Sequence, residues 1–154
     1  MVKILVIYDS NTGNTEKMAR AVADGAASTG ANVEIKKIGD PFPLSLLAEA
    51  DGVAFGSPCI YADITDKMKD FLDHVESYAI LGKMKMNGRK AAVFGSYGFD
   101  GAFVVEERLK VRVAALGYKV QDKTLEKVDT SIKVNPKVLE DCNAWGKEFA
   151  AQIN

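Results

Sequence analysis

At 154 residues and 16.7 kDa, with 47% hydrophobic residues, the chain has room for one sizeable core and one domain, residues 1–154. Its 20 Lys plus Arg nearly cancel its 21 Asp plus Glu, so no long-range field gathers nucleic acid or an anionic membrane, and neither is an expected partner. Cys59 and Cys142 form no CxxC pair, metal-ligand spacing or disulfide framework, so a reducing, cytoplasmic setting is the default.

Residues 2–8 are a short apolar stretch closed by Asp9 and Ser10, which predicts a strand buried on both faces and is too short for a signal peptide or a membrane span. A helix is expected from Thr15 to the turn signal at Ser28, Thr29 and Gly30, and residues 33–38 alternate like an edge strand. Pro41 and Pro43 leave residues 44–50 at most a short helix. A third strand is expected at residues 52–56. Helix character returns at residues 64–75, where Ile64, Met68, Phe71, Leu72 and Val75 share one face. Asn87 and Gly88 lead into a fourth strand at residues 90–94. Residues 101–116 predict an amphipathic helix through Phe103, Val104, Leu109 and Val113, ended by Gly117. A fifth strand lies within residues 118–128. The last helix begins at Asn135 as N-cap with Pro136 behind it, and carries Val138, Cys142, Trp145 and Phe149 on one stripe. His74 has no Cys or His at ligand spacing, so it and Trp145 are assigned to structure.

Strands alternating with helices imply an α/β fold, a parallel sheet in a three-layer α/β/α sandwich, because each return to a parallel strand needs a crossover. Ligands of such sheets bind outside the carboxyl ends of the strands. Three turns fall there. The first, Ser10, Asn11, Thr12, Gly13, Asn14 and Thr15, concentrates hydroxyls, amides and a glycine at a helix start, where backbone N–H groups and the macrodipole favour a phosphate; a cap alone needs only one such residue. Neither GxxxxGK[ST] nor a GxGxxG after the first strand is present, which disfavours nucleoside triphosphates and Rossmann-type dinucleotides. The second turn is Ser57, Pro58, Cys59, Ile60, Tyr61 and Ala62, followed by Asp63; Tyr61 or Ile60 could cover the face of a flat ring. The third runs from Gly95 through Ser96, Tyr97, Gly98, Phe99 and Asp100 to Gly101, with glycines that allow close backbone approach and two aromatic rings.

Residues 10–15 resemble the flavodoxin phosphate loop, [ST]-x-T-G-N-T, and the alternation of elements extends the likeness over the whole chain. The second and third turns are similar to the two flavin loops of that family, and closest to the flavodoxin domains of flavodiiron proteins. The resemblance implies a five-stranded parallel sheet in order 2-1-3-4-5, noncovalently bound FMN with its phosphate in the first loop and its ring between the other two, and low-potential electron transfer between a reductase and an acceptor protein. Ser10, Thr12, Asn14 and Thr15 would then contact the phosphate through side chains, and Asn11 and Gly13 through backbone N–H groups.

Two departures from the family pattern matter. Where flavodoxins carry aromatic-Gly-Asp, this chain has Tyr61, Ala62 and Asp63, and Ala62 resists a turn that demands positive φ; the two one-electron potentials are therefore expected to lie closer together than a glycine would set them. Many flavodoxins are strongly acidic around the flavin, whereas here Asp63, Asp66, Asp70, Asp73 and Asp100 are diluted by Lys67 and Lys69. Two other functions compete with the electron carrier. An FMN-dependent NAD(P)H:quinone oxidoreductase shares the fold and would need a nicotinamide pocket, for which residues 77–87 are the candidate insertion. A flavin-free response-regulator type of domain would need clustered acids and an Asp ending strand three, where Phe55, Gly56, Ser57 and Pro58 stand instead.

Overall fold

The computed structural model describes residues 1–153 apart from Lys83, Lys85 and Asp100. Among the described residues six strands are formed: β1 (Lys3–Tyr8), β2 (Asn32–Lys37), β3 (Gly52–Pro58), β4 (Lys90–Tyr97), β5 (Lys119–Val120) and β6 (Leu125–Val128). Every pairing is parallel, in the order β2-β1-β3-β4-β5, with β6 also on β4. The helices between them are α1 (Asn14–Ala27), α2 (Ser45–Glu49), α3 (Asp66–Ile80), α4 (Ala102–Val104), α5 (Lys110–Ala115), α6 (Asp129–Val134) and α7 (Pro136–Ala151), with a π-helical turn at Val105–Leu109 joining α4 to α5.

The sheet is covered on both faces. Along β1, Ile4, Val6 and Tyr8 enter a core with α1 and α7, while Leu5 and Ile7 enter a second core with α2, α3 and α5, as the two-residue strand period requires. Both α1 and α7 approach each other at glycines: a Cβ on Gly25 would lie 1.9 Å from the Asn143 carbonyl oxygen, and one on Gly146 would lie 2.2 Å from that of Val22. Among the described residues, no helix is long and apolar enough to cross a membrane.

Most of the expected elements form within a few residues of their predicted places, and four details differ. Helix α3 runs on to Ile80, beyond the stripe that ends at Val75. Strand five is two segments: β5 lies opposite Lys90 and Ala91, β6 opposite Phe94–Tyr97, so residues 121–124 stand against Ala92 and Val93 and bulge out. The helix over residues 101–116 contains the π turn, which adds a residue to one turn and rotates the buried stripe. Val105 is thereby buried and Phe103 left 38% exposed, contrary to the periodicity expected for an unbroken α-helix. At that turn burial raises the pKa of the Glu126 carboxyl, whose Oε1 has no hydrogen-bond partner among the described residues. Helix α6 was not foreseen; it is six residues long and buries only Ile132, too little for a periodic pattern. By contrast α7 begins as expected, with Asn135 Oδ1 accepting from the Lys137 N–H and Pro136 in the first turn.

Because β1 connects to β2 on one side and the chain returns to β3 on the other, the switch point lies between β1 and β3. Tyr8 pairs with Gly56 and Pro58 with Ser96, so β1, β3 and β4 end together and lift their following turns onto one edge.

Candidate functional site

Asp9, Asn14, Thr15, Ser57, Thr65 and Ser96 are the buried polar and charged residues among those described, and all lie at the carboxyl ends of β1, β3 and β4 or in the turns that follow. Elsewhere the buried residues are aliphatic, aromatic or sulfur-bearing, although the Tyr118 hydroxyl and Glu126 Oε1 are also out of water and have no hydrogen-bond partner among the described residues. Polar groups are buried at a cost unless they are bonded, so their concentration here marks a built site.

The first turn wraps the start of α1. Gly13, at φ 95°, takes the left-handed conformation that only glycine adopts freely, and turns the chain so that the helix opens toward the loop. Ser10 Oγ accepts from the Gly13 N–H at 3.1 Å and from the Glu16 N–H at 3.4 Å. The amides of Asn14 and Thr15, in the first turn of a helix, have no acceptor within it. Asn11 and Thr12 are exposed at the tip, while Asn14 and Thr15 are buried. Thr15 Oγ1 is hydrogen-bonded to Ser96 Oγ at 2.8 Å, which ties this turn to the end of β4. On the α1 face of the sheet, the Tyr8 hydroxyl donates to Glu16 Oε1 at 2.6 Å; burial and this bond push the phenol up to about 12.

The second turn is held at both ends. The Cys59 N–H donates to the Ser96 carbonyl at 2.8 Å, and the Thr65 hydroxyl donates to Asp9 Oδ2 at 2.6 Å. Between them Ile60 and Asp63 exchange backbone hydrogen bonds of 2.8 and 3.1 Å around Tyr61 and Ala62, whose φ values are 50° and 58°. Two central residues with positive φ define a type I′ hairpin turn, which ordinarily selects Asn-Gly. Ala62 therefore does adopt the conformation that its side chain disfavours. Left-handed backbone costs a non-glycine residue about 1–2 kcal/mol, and the extra freedom of an unfolded glycine takes back part of that gain. Ala62→Gly is accordingly expected to stabilise the chain by about 0.5–1 kcal/mol, read as a higher urea midpoint; an unchanged or lower midpoint would show that the turn carries no strain.

The Tyr61 ring is wholly exposed, and in the third turn Phe99 is 98% exposed, so two aromatic rings stand free at the mouth of the site. Ser96 is buried, Tyr97 half-buried and Gly98 exposed; Asp100, expected here as well, lies outside the described residues. Gly101 lets the third turn close against the second, since a Cβ there would meet Cys59 Sγ at 2.6 Å and Tyr97 Cβ at 2.7 Å. Pro58 and Cys59 are half-buried under that contact, and burial raises the Cys59 thiol.

A groove of about 400 Å³ runs beside the second turn, lined by Asp9, Asn11, Ile60, Tyr61, Asp63 and Lys67. Burial alone would raise the Asp63 carboxyl, but Lys69 Nζ at 2.8 Å, the Ile64 N–H and Arg108 together hold it below the usual aspartate range. Lys69 also reaches Asp66, and Arg112 pairs with Asp73, so the acids near this edge are in part neutralised within the chain. Among the described residues no three His, Cys, Asp or Glu gather as a metal site would need. His74 is exposed and packs edge-on against Tyr78.

All the expected site residues that are described come from the three turns, which meet through Thr15–Ser96 and Cys59–Ser96. Sequence reasoning missed Thr65 and the bonding of Asp9. Their only signal was an acid directly after an apolar strand and a Thr at a helix start.

An open parallel sheet in this order, with its polar turns gathered at the switch point, defines a doubly wound α/β domain built to take a ligand at that edge. The flavodoxin family model matches residues 6–145, and the chain belongs to the flavodoxin family. A flavodoxin of Aquifex aeolicus is 43% identical over 101 residues, covering 64% of this chain and 51% of that protein. An NAD(P)H dehydrogenase (quinone) of Archaeoglobus fulgidus is 32% identical over 120 residues, covering 62% of each. The solved structure of a flavodoxin from the domain Archaea superposes with a TM-score of 0.84 at 28% identity, over 98% of both chains. The matched stretch spans about half the length of the curated flavodoxins.

Proposed function

We propose that the chain holds FMN without a covalent link and carries electrons at low potential between two protein partners, a reductase and an acceptor. The observation that carries this reading is the gathering of the buried polar residues where three turns meet, beneath two exposed aromatic rings. The donor set fits the cofactor. Ser10, Asn11, Thr12, Gly13, Asn14 and Thr15 offer backbone N–H groups and hydroxyls to a phosphomonoester at a helix start, without a basic side chain in the loop. Ser57, Pro58, Cys59, Ile60, Tyr61 and Ala62 on one side, and Ser96, Tyr97, Gly98 and Phe99 on the other, border the space for the ring, with Tyr61 and Phe99 available to its faces. Bound FMN supplies the reversible uptake of electrons, while the chain binds, orients and shields it.

The likeness to a quinone dehydrogenase keeps a second reading, an FMN-dependent NAD(P)H:quinone oxidoreductase. The segment that would have formed its nicotinamide pocket argues against it. Ser77–Ile80 ends α3, and Met84 and Met86 are buried before Lys90, at the opposite end of β4 from the three turns. Titrating the apoprotein with FMN under fluorescence and then adding NADPH without oxygen tests both. Saturable quenching with a flavin that stays oxidised is the expected result. Absence of binding refutes the FMN reading, and fast bleaching favours the oxidoreductase.

A further inference from the structure

We propose that Asp9, which opens the first of the three turns but is not among the residues expected to contact the cofactor, is a buried counter-charge that lowers the reduction potential of whatever flavin the second turn holds. The inference rests on the FMN reading above. Asp9 is 1% exposed and is the one charged residue in the buried set among the described residues. Its two oxygens are both wired as acceptors. Oδ1 takes the Ser10 N–H at 2.9 Å, and Oδ2 takes the Thr65 hydroxyl at 2.6 Å. Thr65 Oγ1 itself accepts from the Met68 N–H at 3.1 Å, so its hydroxyl links Asp9 to the first turn of α3. Acceptance at both oxygens is the pattern of a carboxylate.

No described cation pairs with it: the nearby Lys69 is engaged by Asp63 and Asp66. The charge is held instead by dipoles, namely one N–H, one hydroxyl and the start of α3, for which Thr65 is the N-cap. Dipoles make a buried charge tolerable without cancelling it at longer range. Thr65 also closes the second turn, and its N–H donates to Ser57 Oγ at 3.3 Å, so the carboxylate lies directly behind the segment that would face the ring. A flavin that takes up two electrons and one proton gains one negative charge, and a carboxylate out of water opposes that gain with little screening by salt. Asp66, whose side chain is 96% exposed, should do so only weakly.

The experiment is an equilibrium redox titration of the FMN-loaded protein with dithionite, for the wild type, Asp9→Asn and Asp66→Asn, at low and high salt. In Asp9→Asn the Kd of reduced FMN is expected to fall about tenfold relative to that of oxidised FMN, an upward shift of about 30 mV for a two-electron couple. The shift should persist at high salt, and that of Asp66→Asn should be smaller and vanish there. A merely structural Asp9 would weaken oxidised and reduced FMN alike and leave the ratio unchanged, which overturns the proposal. If Asp9→Asn fails to fold, Asp9→Ser carries the same expectation. Wild-type protein that binds no FMN overturns the functional reading as well, whereas FMN-bound Asp9→Asn with an unmoved potential overturns this inference alone.

Discussion

Gly146→Ala is expected to destabilise the chain by about 3 kcal/mol or more, at the upper end of what overpacking costs. In an isolated helix the same change would gain nearly 1 kcal/mol of helix propensity, so the sign of the result tests the packing. The added methyl would lie 2.2 Å from the Val22 carbonyl oxygen and 2.9 Å from its carbon. These are backbone atoms of α1, and no rotamer change can move them aside. Relief requires α1 and α7 to separate, which opens the core around Met18, Trp145 and Phe149. For a domain of this size the loss corresponds to a melting temperature lower by about 6–12 °C. Thermal unfolding followed by far-UV circular dichroism checks it, and a variant that melts with the wild type would show that the two helices do not meet so closely.

Riboflavin is expected to bind at least about a hundredfold more weakly than FMN, and Gly13→Val is expected to abolish most of that difference. Each charge-assisted hydrogen bond is worth about 1.5–3 kcal/mol, so two or three of them to a phosphate amount to two or more factors of ten. The loop presents them only because Gly13 holds φ 95°, where a β-branched residue is strongly disfavoured. Nothing lies within 4 Å of a Cβ at this position, so the substitution acts through the backbone and not through a clash. Gly13→Val should therefore weaken FMN and leave riboflavin nearly unchanged, as fluorescence titrations of the two ligands would show. Equal weakening of both would place the phosphate elsewhere.

Local pattern was sufficient for much of this protein. The largely apolar strand β1, the caps at Asn135 and Pro136, the edge strand β2 and the six-residue run Ser10–Thr15 depend on nearest neighbours along the chain, and each was legible as a strand, a helix start or an anion-binding turn. The three candidate turns were legible too, because a parallel sheet puts every strand-to-helix turn on one edge. Only the tertiary structure decided the rest. Periodicity could not foresee the π turn, since the displacement of Phe103 by Val105 depends on Val105 packing against β4 at Gly95. Nor could it reveal that Tyr61 and Ala62 both take positive φ, which follows from Ile60 bonding to Asp63 across a turn anchored by Ser96 and Asp9. Residue types and short spacings specify which backbone groups are offered to a ligand, because those effects are local. Which buried charge lies behind them, and which glycine lets two segments close, depends on contacts between residues such as Asp9 and Thr65 or Cys59 and Gly101 that are distant in the chain and become neighbours only when the sheet assembles.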